Sequence, residues 1–194
     1  MKHLLPRVLL LLLFGCGSSP HQNFYTLYSE PDDEATGDVA LEIEIRRLGL
    51  PGYLDRPNLV RRGEGGRLDI SGTDRWGTDL DDMVVATLAQ NLTQRLPRST
   101  VYTESGAISS RPNVVVEVDL QRFEAADGVV RLDAQVALHW AGGSEAHIER
   151  HELTEEPDGD GTEATVAAMS KLLAKLSEAI AGSIAAMAAA QTQA

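Results

Sequence analysis

Alternating apolar and polar residues predict most of the strands in this chain. Val39, Leu41, Ile43 and Ile45 alternate with small or charged residues, which is the period of a strand with one buried face. Two longer runs with the same period, at 114–121 and 130–140, flank Asp127-Gly128, a dipeptide typical of tight hairpin turns. Shorter strands are predicted at 24–28, 67–71, 100–102 and 146–153.

Two other segments show the period of a helix. In the first, apolar residues recur at spacings of three and four and form one stripe, made by Leu80, Met83, Val84, Leu88 and Leu92. Thr78 with Asp81 resembles a capping box at its start, and Pro97 stops it. The second helix is predicted at 162–187. We therefore expect an α+β fold, a twisted and mostly antiparallel sheet with two helices packed on one face.

The N-terminal residues predict export and lipidation. Lys2 and Arg7 precede an apolar run at 8–14. This run is too short to span a bilayer and, after basic residues, is typical of a signal peptide. Leu13-Phe14-Gly15-Cys16 then resembles the bacterial lipobox, so Cys16 would be acylated as the new N-terminus. An ordinary secretory signal with an incidental cysteine is the alternative.

These features predict four segments: a signal peptide at 1–15, a lipidated tether at 16–22, a single domain at 23–188 and a frayed tail at 189–194. Gly17 follows Cys16, where an aspartate would resemble a signal for retention in the inner membrane. We therefore expect the protein to be lipid-anchored on the periplasmic face of the outer membrane.

The net charge limits the possible partners, and the cysteine content limits how the fold can be stabilised. The chain has 17 basic and 29 acidic residues, a formal net charge of −12. Such a surface repels phosphate backbones, so we expect no nucleic-acid partner. Cys16 is the sole cysteine, which rules out an intrachain disulfide and leaves stability to the hydrophobic core.

Motifs for catalysis or metal binding are weak. His139, His147 and His151 lack the spacing of a metal site and are better explained as exposed histidines. Asp158-Gly159-Asp160-Gly161 resembles the start of a calcium loop, but the later acidic ligand is missing. We find no nucleophile triad, phosphate-binding loop or paired-cysteine motif. The sequence therefore predicts a protein that is not an enzyme and has no cofactor.

The segment 50–62 is unusual because it combines two prolines with apolar and charged side chains. Ordered loops of this kind often carry function. With Trp76, the segment supplies the candidates for a partner interface: Leu50, Pro51, Tyr53, Leu54, Asp55, Arg56, Pro57 and Trp76. Two alternatives stay open, a rigid crossover packed on its own domain and, for Trp76, a lid over the core.

The same segment carries a family resemblance. Leu50-Pro51-Gly52-Tyr53-Leu54-Asp55-Arg56-Pro57, with Val60 and Arg62, resembles the signature of the PqiC-like lipoproteins, also called ABC-type transport auxiliary lipoproteins. Further matches at Phe24-Tyr25-Thr26-Leu27, Arg75-Trp76 and Asn91-Leu92 extend the resemblance over nearly the whole mature chain.

The resemblance implies a non-catalytic outer-membrane subunit of an MCE-type intermembrane phospholipid transport system, one that docks the periplasmic MCE tunnel at the outer membrane and supports envelope integrity. Its implied partners are an MCE-family periplasmic protein, the associated inner-membrane transporter, outer-membrane lipid through the acyl anchor, and further copies of the chain in a homo-oligomeric ring. A general envelope-assembly or scaffolding lipoprotein is the alternative function.

Overall fold

The computed structural model describes residues 21–30, 35–46, 48–108 and 110–192. The predicted signal peptide, Cys16 and most of the tether lie outside these residues. Within them the chain forms eight strands and two α-helices, in the order β1 (Asn23–Tyr25), β2 (Glu42–Ile45), β3 (Asn58–Arg62), β4 (Leu68–Trp76), α1 (Leu80–Arg95), β5 (Thr100–Thr103), β6 (Val114–Ala126), β7 (Val129–Trp140), β8 (His147–Glu155) and α2 (Thr162–Thr192).

The predicted α+β class is confirmed, and the strands form one mixed sheet. The long pairings β6–β7 and β7–β8 are antiparallel, as is β3–β4. The short pairings β1–β4, β2–β5, β2–β6 and β3–β6 are parallel. The expectation of a mostly antiparallel sheet therefore describes the long ladders only. A strand that returns after a long connection can join its neighbour in parallel.

The sheet divides into two branches along one side of β6. The first residues of β6 pair with β2, and its last two pair with β3. Between them Gly49 makes a single bridge to Asp119, with hydrogen bonds of 2.9 Å to the backbone of Val118 and Leu120. A Cβ atom on Gly49 would lie 2.2 Å from the Asp119 carboxylate, so glycine suits this close approach. Residues 50–57, which we call the signature loop, connect the two branches.

The central hairpin follows the predicted turn. Asp127 has φ 52° and Gly128 has φ 79°, the left-handed conformation at both central positions that a two-residue type I′ turn requires. The turn sets the register of β6 against β7 from Ala126–Val129 outward. It therefore decides which face of β7 enters the core.

One hydrophobic core lies between the sheet and the helices. The alternating residues of β7 that we predicted to face inward are at most 1% exposed: Val130, Leu132, Ala134, Val136 and Leu138. Their neighbours Arg131, Asp133 and Gln135 are half-buried or exposed. The predicted orientation of the central strands is therefore confirmed.

Helix α2 has 31 residues and is long and apolar enough by composition to cross a membrane. In the structure one face of this helix enters the core, where Leu172, Leu173, Leu176 and Ile180 are fully buried. Lys175 lies on another side and donates to Glu155 of β8 at 2.7 Å. Packing within the domain thus accounts for the large apolar side chains on this face of α2.

The differences from prediction include two helix ends and one strand. Asp79, not Thr78, is the N-cap of α1 and makes no side-chain capping bond. The nitrogen of Gly77 donates to the Tyr25 carbonyl at 2.8 Å, which holds the chain extended and delays the helix. Helix α2 continues to Thr192, so residues 189–192 are helical where a frayed tail was expected. Strand β3 was not predicted.

Candidate functional site

The signature loop is held by backbone hydrogen bonds near both of its ends. The nitrogen of Leu54 donates to the Pro51 carbonyl at 2.8 Å, which closes a turn. At the other end, the Trp76 nitrogen donates to the Pro57 carbonyl at 2.7 Å. Prolines restrict the backbone between these points. The loop is therefore fixed to the domain.

A network of three side chains ties this loop to β3 and β6. Arg62 donates through Nε and a terminal nitrogen to the two oxygens of the Glu124 carboxylate. The Arg62 guanidinium lies 5.3 Å from the centre of the Tyr53 ring, within the range of a cation–π interaction. The Glu124 side chain is 0% exposed and that of Arg62 is 35% exposed. A buried carboxylate is thus neutralised by an arginine of the family signature.

The pKa values in this network reflect the same contacts. Burial raises the pKa of Tyr53, and its hydrogen bond to Glu124 raises that pKa further. The hydrogen bond to Glu124 raises the pKa of Arg62 above its usual value. The sequence did not point to Glu124, because its contact with Arg62 joins residues 62 positions apart. Within the sequence of β6, Glu124 looks like any other polar residue of the strand.

The interface candidates separate into two groups. Leu54 and Trp76 are only 3% and 6% exposed and belong to the core cluster. This corrects their place among the candidates, since such side chains cannot contact a partner while the domain stays folded. Asp55 and Pro57 are exposed, and Leu50, Pro51, Tyr53 and Arg56 are half-buried.

In the described part of the chain, one arginine of the signature loop and one of β4 have a side-chain nitrogen without a hydrogen-bond partner. The Nε atoms of Arg56 and Arg75 are buried and donate to no acceptor among the described residues. Arg75 lies opposite Asn58 in the β3–β4 register, two residues from Arg56. Because guanidinium groups bind carboxylates or phosphates, each of these arginines can receive an anionic group through its terminal nitrogens.

The histidines on β8 take part in a different contact. His147 and His151 lie 2.8 and 3.2 Å from the Glu149 carboxylate, and Ser183 of α2 donates to it at 2.7 Å. Burial acts to raise the pKa of Glu149, but hydrogen bonds from Ser183 and His147 and the charges of both histidines hold it below its usual value. The contact joins the edge strand to the helix.

Across residues 21–30, 35–46, 48–108 and 110–192, no group of three or more histidine, cysteine or acidic side chains is arranged to hold a metal ion. His139 of β7 lies 3.8 Å from the Glu117 carboxylate of β6. Asp158-Gly159-Asp160-Gly161 forms bends ahead of α2, with Gly159 and Gly161 at positive φ.

Comparison with known families identifies the family of this chain. A family model described as the ABC-type transport auxiliary lipoprotein component matches residues 25–181. The chain belongs to this family. The match includes the signature loop, Arg62, Arg75 and Glu124, and it confirms the resemblance drawn from the sequence. The ABC-type transport auxiliary lipoproteins are not a known enzyme family.

Solved structures share the fold. A crystal structure of an uncharacterized protein has a TM-score of 0.71 and 22% identity, over 85% of this chain and 99% of that one. A Xanthomonas campestris protein of the DUF330 family has a TM-score of 0.73 and 14% identity, over 89% and 99% of the two chains. At such identities the likeness concerns the fold alone. No curated protein matches the sequence.

Proposed function

We propose that this auxiliary lipoprotein is the outer-membrane subunit of an MCE-type intermembrane phospholipid transport system. In this role it docks the periplasmic MCE protein at the outer membrane, connects it with the associated inner-membrane transporter and supports envelope integrity. Membership of the transport-auxiliary family supports the class of function. The signature at 50–62 supports the specific system through its resemblance to the PqiC-like lipoproteins.

The proposed anchor is the lipid on Cys16, which would hold the domain on the periplasmic face of the outer membrane. The lipobox-like Leu13-Phe14-Gly15-Cys16 supports it. Intact-mass measurement of the mature protein tests it: the mass should include the acyl chains on a chain that begins at Cys16. A mature chain without acyl mass would contradict the anchor.

The observation that carries the docking proposal is the unpaired state of Arg56 and Arg75 beside the exposed Asp55 and Pro57. An arginine nitrogen that is buried without a partner is unfavourable. The Nε atoms are covered by this chain itself, so a partner carboxylate would pair instead with the terminal nitrogens of these half-buried side chains. The Tyr53 network and the prolines order the loop beforehand, so little conformational entropy is lost on docking. We therefore place the MCE-contacting surface at Arg56, Arg75 and the exposed tip of the loop.

Crosslinking in native membranes followed by capture of the lipoprotein tests this surface. Arg56→Ala and Arg75→Ala should each reduce recovery of the MCE protein by about tenfold, the range for an arginine that anchors an interface. Arg67→Ala is the matched control, since Arg67 lies near the same strands but is 73% exposed and paired with Asp69. Undiminished recovery with both variants, in protein that unfolds at the wild-type temperature, would refute the docking surface.

The same capture distinguishes the alternative function. Recovery of an outer-membrane assembly protein, without any MCE protein, would favour a general scaffolding lipoprotein. The homo-oligomeric ring stays a prediction, and native mass spectrometry of the detergent-extracted protein checks it. If the ring uses the signature loop, Arg56→Ala should lower the number of copies in the particle.

A further inference from the structure

A groove runs between the first described residues and α2. It has a volume of about 650 Å³ and is lined by aromatic side chains on one wall and small residues of α2 on the other, among them Phe24, Tyr28, Ala164, Ala167 and Lys171. Phe24 is 64% exposed and Tyr28 is 43% exposed. Two exposed aromatic residues four positions apart thus mark one side of the domain.

The aromatic wall is fixed in place. The Asn23 amide donates to Asp74 at 2.9 Å, and the Tyr25 hydroxyl donates to Glu163 at 3.2 Å. The nitrogen of Tyr28 donates to the Ser170 hydroxyl at 3.3 Å. The segment therefore lies along the first half of α2, and its exposed rings are presented from a rigid support.

The chain that precedes this segment leads to the proposed anchor. Phe24 lies eight positions after Cys16, and a fully extended chain spans at most about 3.5 Å per residue. The acyl group on Cys16 therefore lies within roughly 28 Å of Phe24 in any conformation of the intervening residues. A lipid surface is consequently always close to the groove.

We propose that this groove faces the membrane, with Phe24 and Tyr28 in the headgroup region of a zwitterionic lipid surface. Aromatic rings are favoured at that depth because it offers both apolar and polar surroundings. The charges around the groove select the lipid. Among the described residues that line it, Asp158, Asp160 and Glu163 are acidic and Lys171 alone is basic. Anionic headgroups would be repelled by this rim.

The surface adjoins the proposed docking site. Phe24 lies opposite Arg75 in the β1–β4 register, so a partner bound at Arg56 and Arg75 would meet the domain beside the membrane. The inference rests on acylation of Cys16 and does not require the MCE partner. Its test therefore uses purified lipoprotein and vesicles alone.

Tryptophan quenching tests the orientation. Acylated full-length mature protein, selected by intact mass, is reconstituted into phosphatidylcholine–phosphatidylethanolamine vesicles that contain lipids brominated on their acyl chains. Phe24→Trp and Tyr28→Trp report on the groove. Ile148→Trp is the matched control, because Ile148 is 66% exposed on the outward side of β8. Wild-type protein supplies the background from Trp76 and Trp140.

After subtraction of this background, the groove tryptophans should be quenched at least about twofold more than the control, since interfacial rings lie near the acyl chains. Replacing part of the zwitterionic lipid with phosphatidylglycerol should reduce the difference in quenching between the groove tryptophans and the control. Equal quenching at Phe24→Trp, Tyr28→Trp and Ile148→Trp would overturn the proposal. Stronger quenching on the anionic vesicles would overturn the assignment of the lipid. Failure to capture an MCE protein leaves this result untouched, so the two proposals can fail separately.

Discussion

Removal of Arg62 should destabilise the domain strongly because it leaves a buried carboxylate without a counter-charge. The Glu124 side chain is 0% exposed, and Arg62 donates a hydrogen bond to each of its two oxygens. Breaking a buried pair on one side costs about 3–5 kcal/mol. Arg62 is itself 35% exposed, so water can partly replace it, and we expect Arg62→Ala to cost about 2–3 kcal/mol.

Equilibrium unfolding of the mature domain in urea measures this cost. The midpoint should fall while the slope stays unchanged, because the surface exposed on unfolding is the same. For a domain of this size the melting temperature should decrease by roughly 4–12 °C. Arg67→Ala, which breaks the exposed pair with Asp69, should cost about 0.5 kcal/mol or less.

A double variant separates loss of the pair from loss of packing. Arg62→Met combined with Glu124→Leu replaces both charges by apolar groups of similar size and should recover most of the stability, since no unpaired charge remains. The reasoning is refuted if Arg62→Ala costs no more than Arg67→Ala. It is also refuted if the double variant is as unstable as the two single losses added together.

Three further outcomes are expected. Leu132→Ala, at a fully buried site, should cost about 2–5 kcal/mol in urea unfolding, whereas Gln135→Ala on the opposite face should cost little; the reverse order would mean an inverted register. Because the pKa of Glu149 is lowered in the folded state, its contribution is present above the ordinary carboxyl pKa and lost as pH falls through the lowered value. The stability difference between wild type and Glu149→Gln should therefore stay constant above the ordinary carboxyl pKa and shrink as the pH falls below it, and a constant difference across that range would contradict the shift. Gly128→Ala, at φ 79°, should destabilise the domain by about 1–2 kcal/mol, measured by thermal melting. Gly52→Ala, where an added Cβ meets no atom within 4 Å, should leave the stability unchanged. Equal effects of the two variants would exclude backbone strain at Gly128.

Local chemistry was enough to predict the central hairpin. Asp127-Gly128 can adopt the left-handed turn that few other dipeptides accept, and the alternating residues of β7 can bury only one face. The period of α2 likewise identified its buried side. These features depend on residues close together in the sequence, so their pattern is visible before any tertiary contact is known.

Strand β3 was missed for the opposite reason. Its five residues show no clear alternation of apolar and polar side chains. Leu59 and Val60 point to opposite faces of the strand, yet both are buried, because other parts of the chain cover both faces there. The division of the sheet along β6 follows from long-range pairing with β2 and β3, which no local pattern encodes. The start of α1 moved to Leu80 because a hydrogen bond from Gly77 to β1 competes with the capping box.

The sequence by itself determined the family, through the signature at 50–62, and the fold class, through the periods of its strands and helices. Only the tertiary structure decided what each signature residue does. Leu54 enters the core, Arg62 neutralises a carboxylate 62 residues away, and Arg56 is left without a partner. The physical reason is that burial and ion pairing depend on which distant residues share a low-dielectric space. Residue type limits those contacts, but the packing of the sheet selects among them.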